Sequence, residues 1–209
     1  MSFAIRERFV PEPKHISKLL GSINLQSAWG RQDYLLIVFL CHTGLRICEA
    51  TRLVVDHVAF EGEPREAVFV PTSITKGEKG KRRSRSVYLN TVAQKCVRKL
   101  LEFNKKRGFS VEPGAPLLPW KNHDFLPIRE AERRFQRLRE SVGLPHQLKI
   151  HTLRHFFASR LVWAGVDLAT VQSLLGHKDN RSTQVYTHTT EARRRAAVGK
   201  LLGEQGVLR

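Results

Sequence analysis

The sequence predicts an α+β domain, mostly α, with a small antiparallel three-stranded sheet packed on a helical core. Three observations carry this. Apolar residues recur at spacings of three and four through most of the chain, as they do on the buried face of a helix. Alternating runs are confined to the middle, between His57 and Leu89. Apolar residues make up 41% of the 209 residues and charged ones 26%, which suits a domain with its own core and does not suit a disordered chain. The length fits one large domain, or one and a half.

In order along the chain, Ile16 to Ile23 and Asp33 to Thr43 read as helices. Gly44 is suited to end the second in the left-handed conformation. Ile47 to Leu53 reads as a third helix. His57 to Phe60 and Ala67 to Val70 read as a strand pair around the turn Glu61-Gly62-Glu63-Pro64. The stretch from Lys76 to Arg83 holds Gly77 and Gly80 and reads as a loop. Arg85 to Leu89 is the third strand, with Val87 and Leu89 on one face and Ser86 and Tyr88 facing out. Val92, Cys96, Val97, Leu100 and Leu101 mark an amphipathic helix whose other face carries Lys95, Arg98 and Lys99. Phe109 to Pro127, rich in Pro and Gly, is a long loop. Every later segment reads as helical: Arg129 to Val142, Leu153 to Ala164, Leu168 to Leu175, Ser182 to His188 and Glu191 to Leu202. There is no internal repeat and no low-complexity tract.

The charge narrows the function. Lys and Arg number 36 against 19 Asp and Glu, a net +17. An isoelectric point near 10.5 on a folded domain points to a polyanion, most often nucleic acid. Between Lys76 and Arg107 lie 12 basic and 2 acidic residues, a net +10. An anionic membrane surface is the rival partner, but no basic amphipathic helix has an aromatic-rich apolar face. The longest apolar run, Tyr34 to Cys41, is far short of the roughly 18 to 20 residues of a membrane helix. Met1 to Phe9 mixes Arg and Glu and lacks the apolar stretch of a secretory signal. Cys41, Cys48 and Cys96 are odd in number and form no Cys-x-x-Cys pair, so they read as buried free thiols in a reducing cytoplasm. No cluster of Asp and Glu could hold Mg²⁺, which disfavours a metal-dependent nuclease.

Four segments carry the polar residues suited to chemistry. They are Thr43-Gly44-Leu45-Arg46-Ile47-Cys48-Glu49, the loop opening at Lys76, His151-Thr152-Leu153-Arg154-His155, and Leu175-Gly176-His177 followed by Tyr186-Thr187-His188. Singly, each has an ordinary reading. Arg46 could pair with Glu49 at i,i+3 on a surface helix. Lys76 could be one more solvated loop charge. His151 and Arg154 could form a polar helix face, His177 a helix cap, and Tyr186 a half-buried side chain with its hydroxyl on water.

Together they match what transfer of a phosphoryl group from DNA to a side chain requires. A phosphodiester repels nucleophiles, and charge grows on its non-bridging oxygens in the transition state. Guanidinium forks hydrogen-bond those oxygens in pairs. Two arginines and a histidine donor, fixed in advance, stabilise that charge. A tyrosine hydroxyl, pKa about 10, becomes a nucleophile only beside such charge or a base. A loop lysine can protonate the leaving 5′-hydroxyl.

The ordered set resembles the tyrosine recombinase (phage integrase) family. The matching features are Thr-Gly-Leu-Arg-x-x-Glu, the Thr-Lys-Gly hairpin loop, His-x-Leu-Arg-His, Leu-Gly-His, and Tyr-Thr-His nine residues after that His. The resemblance runs from about residue 11 to 202, the family's whole catalytic domain. It implies that Arg46 and Arg154 clamp the scissile phosphate and His177 is a third donor. It implies that His151 handles the nucleophile's proton, Lys76 is the general acid, and Tyr186 is the nucleophile. Glu49 resembles the acid that orients its neighbours. Lys79 is near enough to be confused with Lys76, and Lys79, Lys81, Arg82, Arg83 and Arg85 are taken as DNA contacts. Tyr34, in an apolar helix, and Tyr88 are weaker candidates for the nucleophile, while His155 and His188 read as packing or supporting residues.

The family resemblance further implies a 3′-phosphotyrosine intermediate whose ester conserves bond energy, so that neither metal nor ATP is needed. It implies double-stranded DNA as partner, a tetramer on two duplexes, accessory proteins that set direction, and a cytoplasmic, nucleoid-associated location. For the last helix, with Arg193, Arg194, Arg195 and apolar Ala197, Val198, Leu201 and Leu202, two readings stand: a tail packed on a neighbouring protomer, or a terminal helix packed on its own chain. The family usually carries a core-binding domain before this one. Here the first helix starts near Lys14, and residues 1–10 resemble the end of an interdomain linker. Half a clamp implies weak DNA binding, and tight, sequence-specific binding in a gel shift would contradict it.

Two rivals come from other classes. A type IB topoisomerase-like relaxing enzyme shares the nucleophile and clamp, but the Leu-Gly-His to Tyr spacing and the small size favour the integrase side. A non-catalytic helix-turn-helix module would use Leu168 to Leu175 for recognition. From Val166 to Gly176 there is no basic residue, and Leu168, Val171, Leu174 and Leu175 would be buried.

Overall fold

The computed structural model describes residues 9–75, 84–176 and 191–200, with backbone alone for 191–194. Eight α-helices and four short strands occur among the described residues. The domain is built around one helix, α2 (Gly30–Thr43). Leu35 to Cys41 are each 2% exposed or less, so this helix is apolar all round and covered on every side. It packs chiefly on α4 (Thr91–Lys106) and α6 (Thr152–Trp163). It begins three residues before the apolar pattern does, because the Ser27 hydroxyl accepts the Gly30 N–H at 2.9 Å.

The first helix, α1 (Pro13–Gly21), opens with proline at its first position, where a missing N–H costs nothing. The next after α2, α3, covers only Ile47–Ala50 and ends before the expected Leu53. The chain is drawn off there: Val55 N–H donates to Ala115 O at 2.9 Å, and Leu117 N–H donates to Leu53 O at 2.9 Å. The Phe109 to Pro127 segment is thus pinned rather than loose. Asn104 Nδ2 holds Leu117 O at 3.1 Å, Gln32 Nε2 holds Pro119 O at 2.8 Å, and Leu117, Leu118 and Leu126 are buried.

The strands depart from the expected three-stranded sheet. Strand β1 (Ala59–Phe60) pairs with β2 (Glu63–Pro64), and β3 (Ala67–Val70) pairs with β4 (Arg85–Tyr88), as two separate antiparallel pairs. Glu61 and Gly62, both at positive φ, close a two-residue turn. That turn sets Phe60 opposite Glu63, so Ala67–Val70 is left to pair with β4, Val68 opposite Val87.

Helices α5 (Ile128–Ser141), α6, α7 (Leu168–Leu175) and α8 (Glu191–Gly199) complete the described chain. Two apolar clusters result. The larger joins α1 to α5 and the start of α6, through Phe156. The smaller gathers Tyr88, Phe157, Leu161, Val166, Val171, Leu174, Leu175, Ala197 and Val198. Tyr88 is therefore buried, not outward-facing, because this second cluster covers the other face of β4. Leu168, expected to be buried, is 63% exposed at the first position of α7, outside that cluster. Within this chain α8 packs on α7 and β4. The expected helix Ser182 to His188, and Leu201 and Leu202, lie outside the described residues.

Candidate active site

The site lies at the seam between the two clusters, where α2 ends. Gly44 adopts φ 62°, and its N–H closes α2 onto Leu40 O at 3.0 Å. A side chain there would meet the Phe157 ring at 2.4 Å, so glycine is needed both for the turn and for the space. The reversal sends Leu45 inward and sets Arg46 at the head of α3.

Glu49 is fully buried, and four hydrogen bonds converge on it. The Arg46 backbone N–H donates to Oε2 at 2.9 Å and Arg46 Nη1 to Oε1 at 3.1 Å. Arg85 reaches in from β4 with both terminal nitrogens, Nη1 to Oε1 at 2.9 Å and Nη2 to Oε2 at 2.8 Å. Burial pushes the Glu49 carboxyl up, but the Arg85 fork and then Arg46 outweigh it, and the group is held below its ordinary range. Glu49 is thus an ionised hub whose lone pairs are saturated.

Arg154, on the first turn of α6, faces the same seam. Its Nη1 donates to Gly44 O at 2.6 Å and its Nη2 to Leu175 O. Those carbonyls end α2 and α7, and helix C-termini carry partial negative charge. Burial first, and then Arg46, push the guanidinium down to about 9, which leaves it cationic at neutral pH. Three guanidiniums thus gather around a single carboxylate, and the seam keeps an excess of positive charge for an anion.

Of the residues expected from sequence, the structure brings Arg46, Glu49 and Arg154 together. His151 stands exposed at the N-cap of α6, three residues before Arg154. Lys76, His177 and Tyr186 lie outside the described residues, as do Lys79, Lys81, Arg82 and Arg83. Arg85, read from sequence as a DNA contact, instead turns its fork inward onto Glu49, with its side chain 15% exposed. Its stem lies against Gly176, where a Cβ would meet Arg85 Cδ at 3.0 Å. The sequence held no signal for this, because the burial of Glu49 and the β3–β4 pairing that brings Arg85 to it are both tertiary. Tyr34 and Tyr88 are both buried. Cys41 and Cys96 are buried free thiols pushed up to about 12 by burial, and Cys48, also free, is half-buried.

A cavity of about 370 Å³ lies at the opposite end of α2, lined by Trp29, Asp33, Trp120, Arg133 and Arg134 among others. The 14 residues of α2 put it about 20 Å from the arginine cluster. It is filled in part by structure: Arg134 is ion-paired with Asp33 and lies over the Trp29 and Trp120 rings.

On a mostly helical fold, Arg46 is braced by a buried acid and Arg154 by two helix-ending carbonyls, and known proteins share this fold. Residues 12–193 match the phage integrase family, and the chain belongs to that family. Among curated relatives, tyrosine recombinase XerD of Pseudomonas putida is 30% identical over 188 residues, 88% of this chain and 60% of that protein. A tyrosine recombinase of Pseudothermotoga lettingae is 30% identical over 192 residues, 92% of this chain and 60% of that protein. The chain thus spans about 60% of the length of these relatives. Among solved structures, the Tn1549 transposon integrase (residues 82–397) in complex with circular intermediate DNA shares the fold with a TM-score of 0.67 at 21% identity, covering 94% of this chain and 66% of that one. XerA recombinase does so with a TM-score of 0.66 at 19% identity, covering 98% of this chain and 67% of that one.

Proposed function

We propose that this chain is the strand-cleaving and rejoining domain of a site-specific DNA recombinase. The observation that carries the reading is the seam itself. Two arginines from separate helices, Arg46 and Arg154, meet there in a partly desolvated pocket with cationic charge to spare. Family membership supplies the chemistry they would serve.

In this reading Arg46, Arg154 and His177 hold the non-bridging oxygens of the scissile phosphate. Tyr186 attacks phosphorus, its phenolic proton passing to His151. The bond to the 5′-oxygen breaks as the 3′-phosphotyrosine forms, and Lys76 donates a proton to the leaving oxygen. A 5′-hydroxyl from another strand then reverses the step, so atoms and charge balance without an outside energy source. Burial of Tyr34 and Tyr88 supports Tyr186, the third of three tyrosines, as nucleophile. The Lys79 to Arg83 loop and the wider positive surface provide sequence-blind grip on the DNA backbone. Assembly as a tetramer on two duplexes, direction-setting accessory proteins and association with the nucleoid belong to the same proposal.

The test is covalent trapping on nicked duplexes, where loss of the short cleaved strand stalls rejoining. A pool of such duplexes with randomised cores removes the need to know the site. The expected result is a protein–DNA adduct that Tyr186→Phe abolishes and that Arg46→Ala or Arg154→Ala cuts by roughly 10²-fold or more. An adduct that survives Tyr186→Phe overturns the assignment. Relaxation of supercoiled plasmid with no exchange between duplexes would favour the topoisomerase-like alternative.

A further inference from the structure

We infer that Arg85 is a positioning residue for the phosphate clamp: it holds Glu49 so that Glu49 can hold Arg46, and it braces the corner that leads into His177. This rests on the recombinase reading above and assigns to that site a fourth participant, on a strand rather than a helix.

The argument begins with an asymmetry among the three arginines. Arg46 gives Glu49 one terminal nitrogen, which leaves the other uncommitted to that carboxylate, and its side chain remains 32% exposed. Arg85 gives Glu49 both terminal nitrogens and is 15% exposed. Its remaining nitrogen, Nε, is buried with no hydrogen-bond partner among the described residues. Arg46 is therefore open to an incoming anion and Arg85 is turned away from one. Each carboxylate oxygen is shared between the two residues, Oε1 between Arg46 Nη1 and Arg85 Nη1, and Oε2 between Arg46 N–H and Arg85 Nη2. A bidentate fork fixes the plane of the carboxylate, and that plane fixes the direction of the Arg46 bond.

Without Arg85, a fully buried carboxylate would keep a single hydrogen-bonded guanidinium, that of Arg46, with Arg154 near but bonded elsewhere. Either it takes up a proton and loosens Arg46, or it draws the Arg46 guanidinium inward and away from the phosphate. Both outcomes cost transition-state stabilisation more than they cost DNA affinity. Lysine is no substitute, since a point charge cannot set a plane. The second contact adds to the first. The Arg85 stem packs against Gly176, which takes φ 64° and immediately precedes His177. One side chain thus spans β4, α3 and the end of α7.

The test compares the parent with Arg85→Met, Arg85→Lys, Glu49→Gln and the double variant, each first shown to fold by thermal unfolding. Arg98→Met, which removes an exposed ion pair with Glu63, serves as the surface control. In the free protein, NMR of the arginine Nε–H groups and glutamate carboxyl carbons is expected to show two changes in Arg85→Met. The Arg46 signal moves, and Glu49 titrates at higher pH than in the parent. On the nicked pool, single-turnover adduct formation is expected to slow by up to ~10²-fold, with DNA affinity within about threefold of the parent. The rate of Arg85→Met should also fall more steeply on acidification than that of the parent, as Glu49 takes up a proton. Arg85→Lys should recover little, and Arg85→Met should add little in the Glu49→Gln background.

Unchanged Arg46 and Glu49 signals in Arg85→Met overturn the inference, whatever the DNA arm returns. So does equal loss of affinity and cleavage, which would make Arg85 a direct DNA contact. If the parent itself gives no Tyr186-dependent adduct, the recombinase reading fails while the NMR arm still decides the role of Arg85.

Discussion

At the scale of single residues, burial leaves one kind of group charged and another neutral. Arg154 is desolvated yet cationic, held by two carbonyls. Cys41 and Cys96 are desolvated and neutral, their thiols pushed up to about 12. A thiol must ionise to react, so burial and protonation protect both. Ellman's reagent at mildly alkaline pH is expected to label Cys48 quickly in the native protein, and Cys41 and Cys96 only on unfolding. Three fast equivalents would mean that α2 and α4 do not pack as described. Arg46, Glu49 and Arg154 were all legible in the sequence, because their chemistry is written in short motifs. Arg85 was not, since its partner lies 36 residues away and only the β3–β4 pairing brings the two together.

At the scale of elements, helix positions followed from apolar spacing, and their ends followed from contacts that spacing does not encode. The α7 limits and the Gly44 stop were legible. The early end of α3 was not, since it depends on Leu53 and Val55 pairing with residues far along the chain. The split of the strands into two antiparallel pairs is hidden in the sequence for a similar reason: the tight Glu61-Gly62 turn uses up β1 on β2. A buried polar link was also invisible. His42 on α2 meets Asn90 at 3.0 Å between Nδ1 and Nδ2, while Asn90 caps α4 through Ala93 N–H and reaches Val198 O on α8 at 3.4 Å. Burial first, then Arg160, push His42 from 6.5 down to about 3. Between those values the unfolded chain binds a proton that the folded chain refuses, so stability falls as pH drops below 6.5. Denaturant midpoints are expected to fall across that range, a loss of about 2–4 kcal/mol by pH 4. His42→Gln should flatten this slope. An unchanged slope would show that His42 is not the group responsible.

At the scale of the whole molecule, the net charge of +17 divides into two populations. A few cations converge on the seam, and the rest spread over the surface. Exposed pairs such as Arg98–Glu63 and Arg65–Asp56 neutralise some of these, at little gain in stability. The remainder should make DNA binding strongly salt-dependent. If about six phosphates are neutralised, log K should fall against log salt with a slope near −5. Fluorescence anisotropy on arbitrary duplex DNA measures it, and a slope near zero would contradict the backbone-contact picture. No helix among the described residues is long and apolar enough to cross a membrane.

The grip of Arg154 on two carbonyls has a consequence in the language of circuits. Gly44 O is present only when α2 has ended correctly, and Leu175 O only when α7 has docked. The side chain therefore works as an AND gate, with each helix an input and a positioned cation as the output. On the proposed function, a chain with either half undone would keep its surface charge but hold no organised clamp for a phosphate.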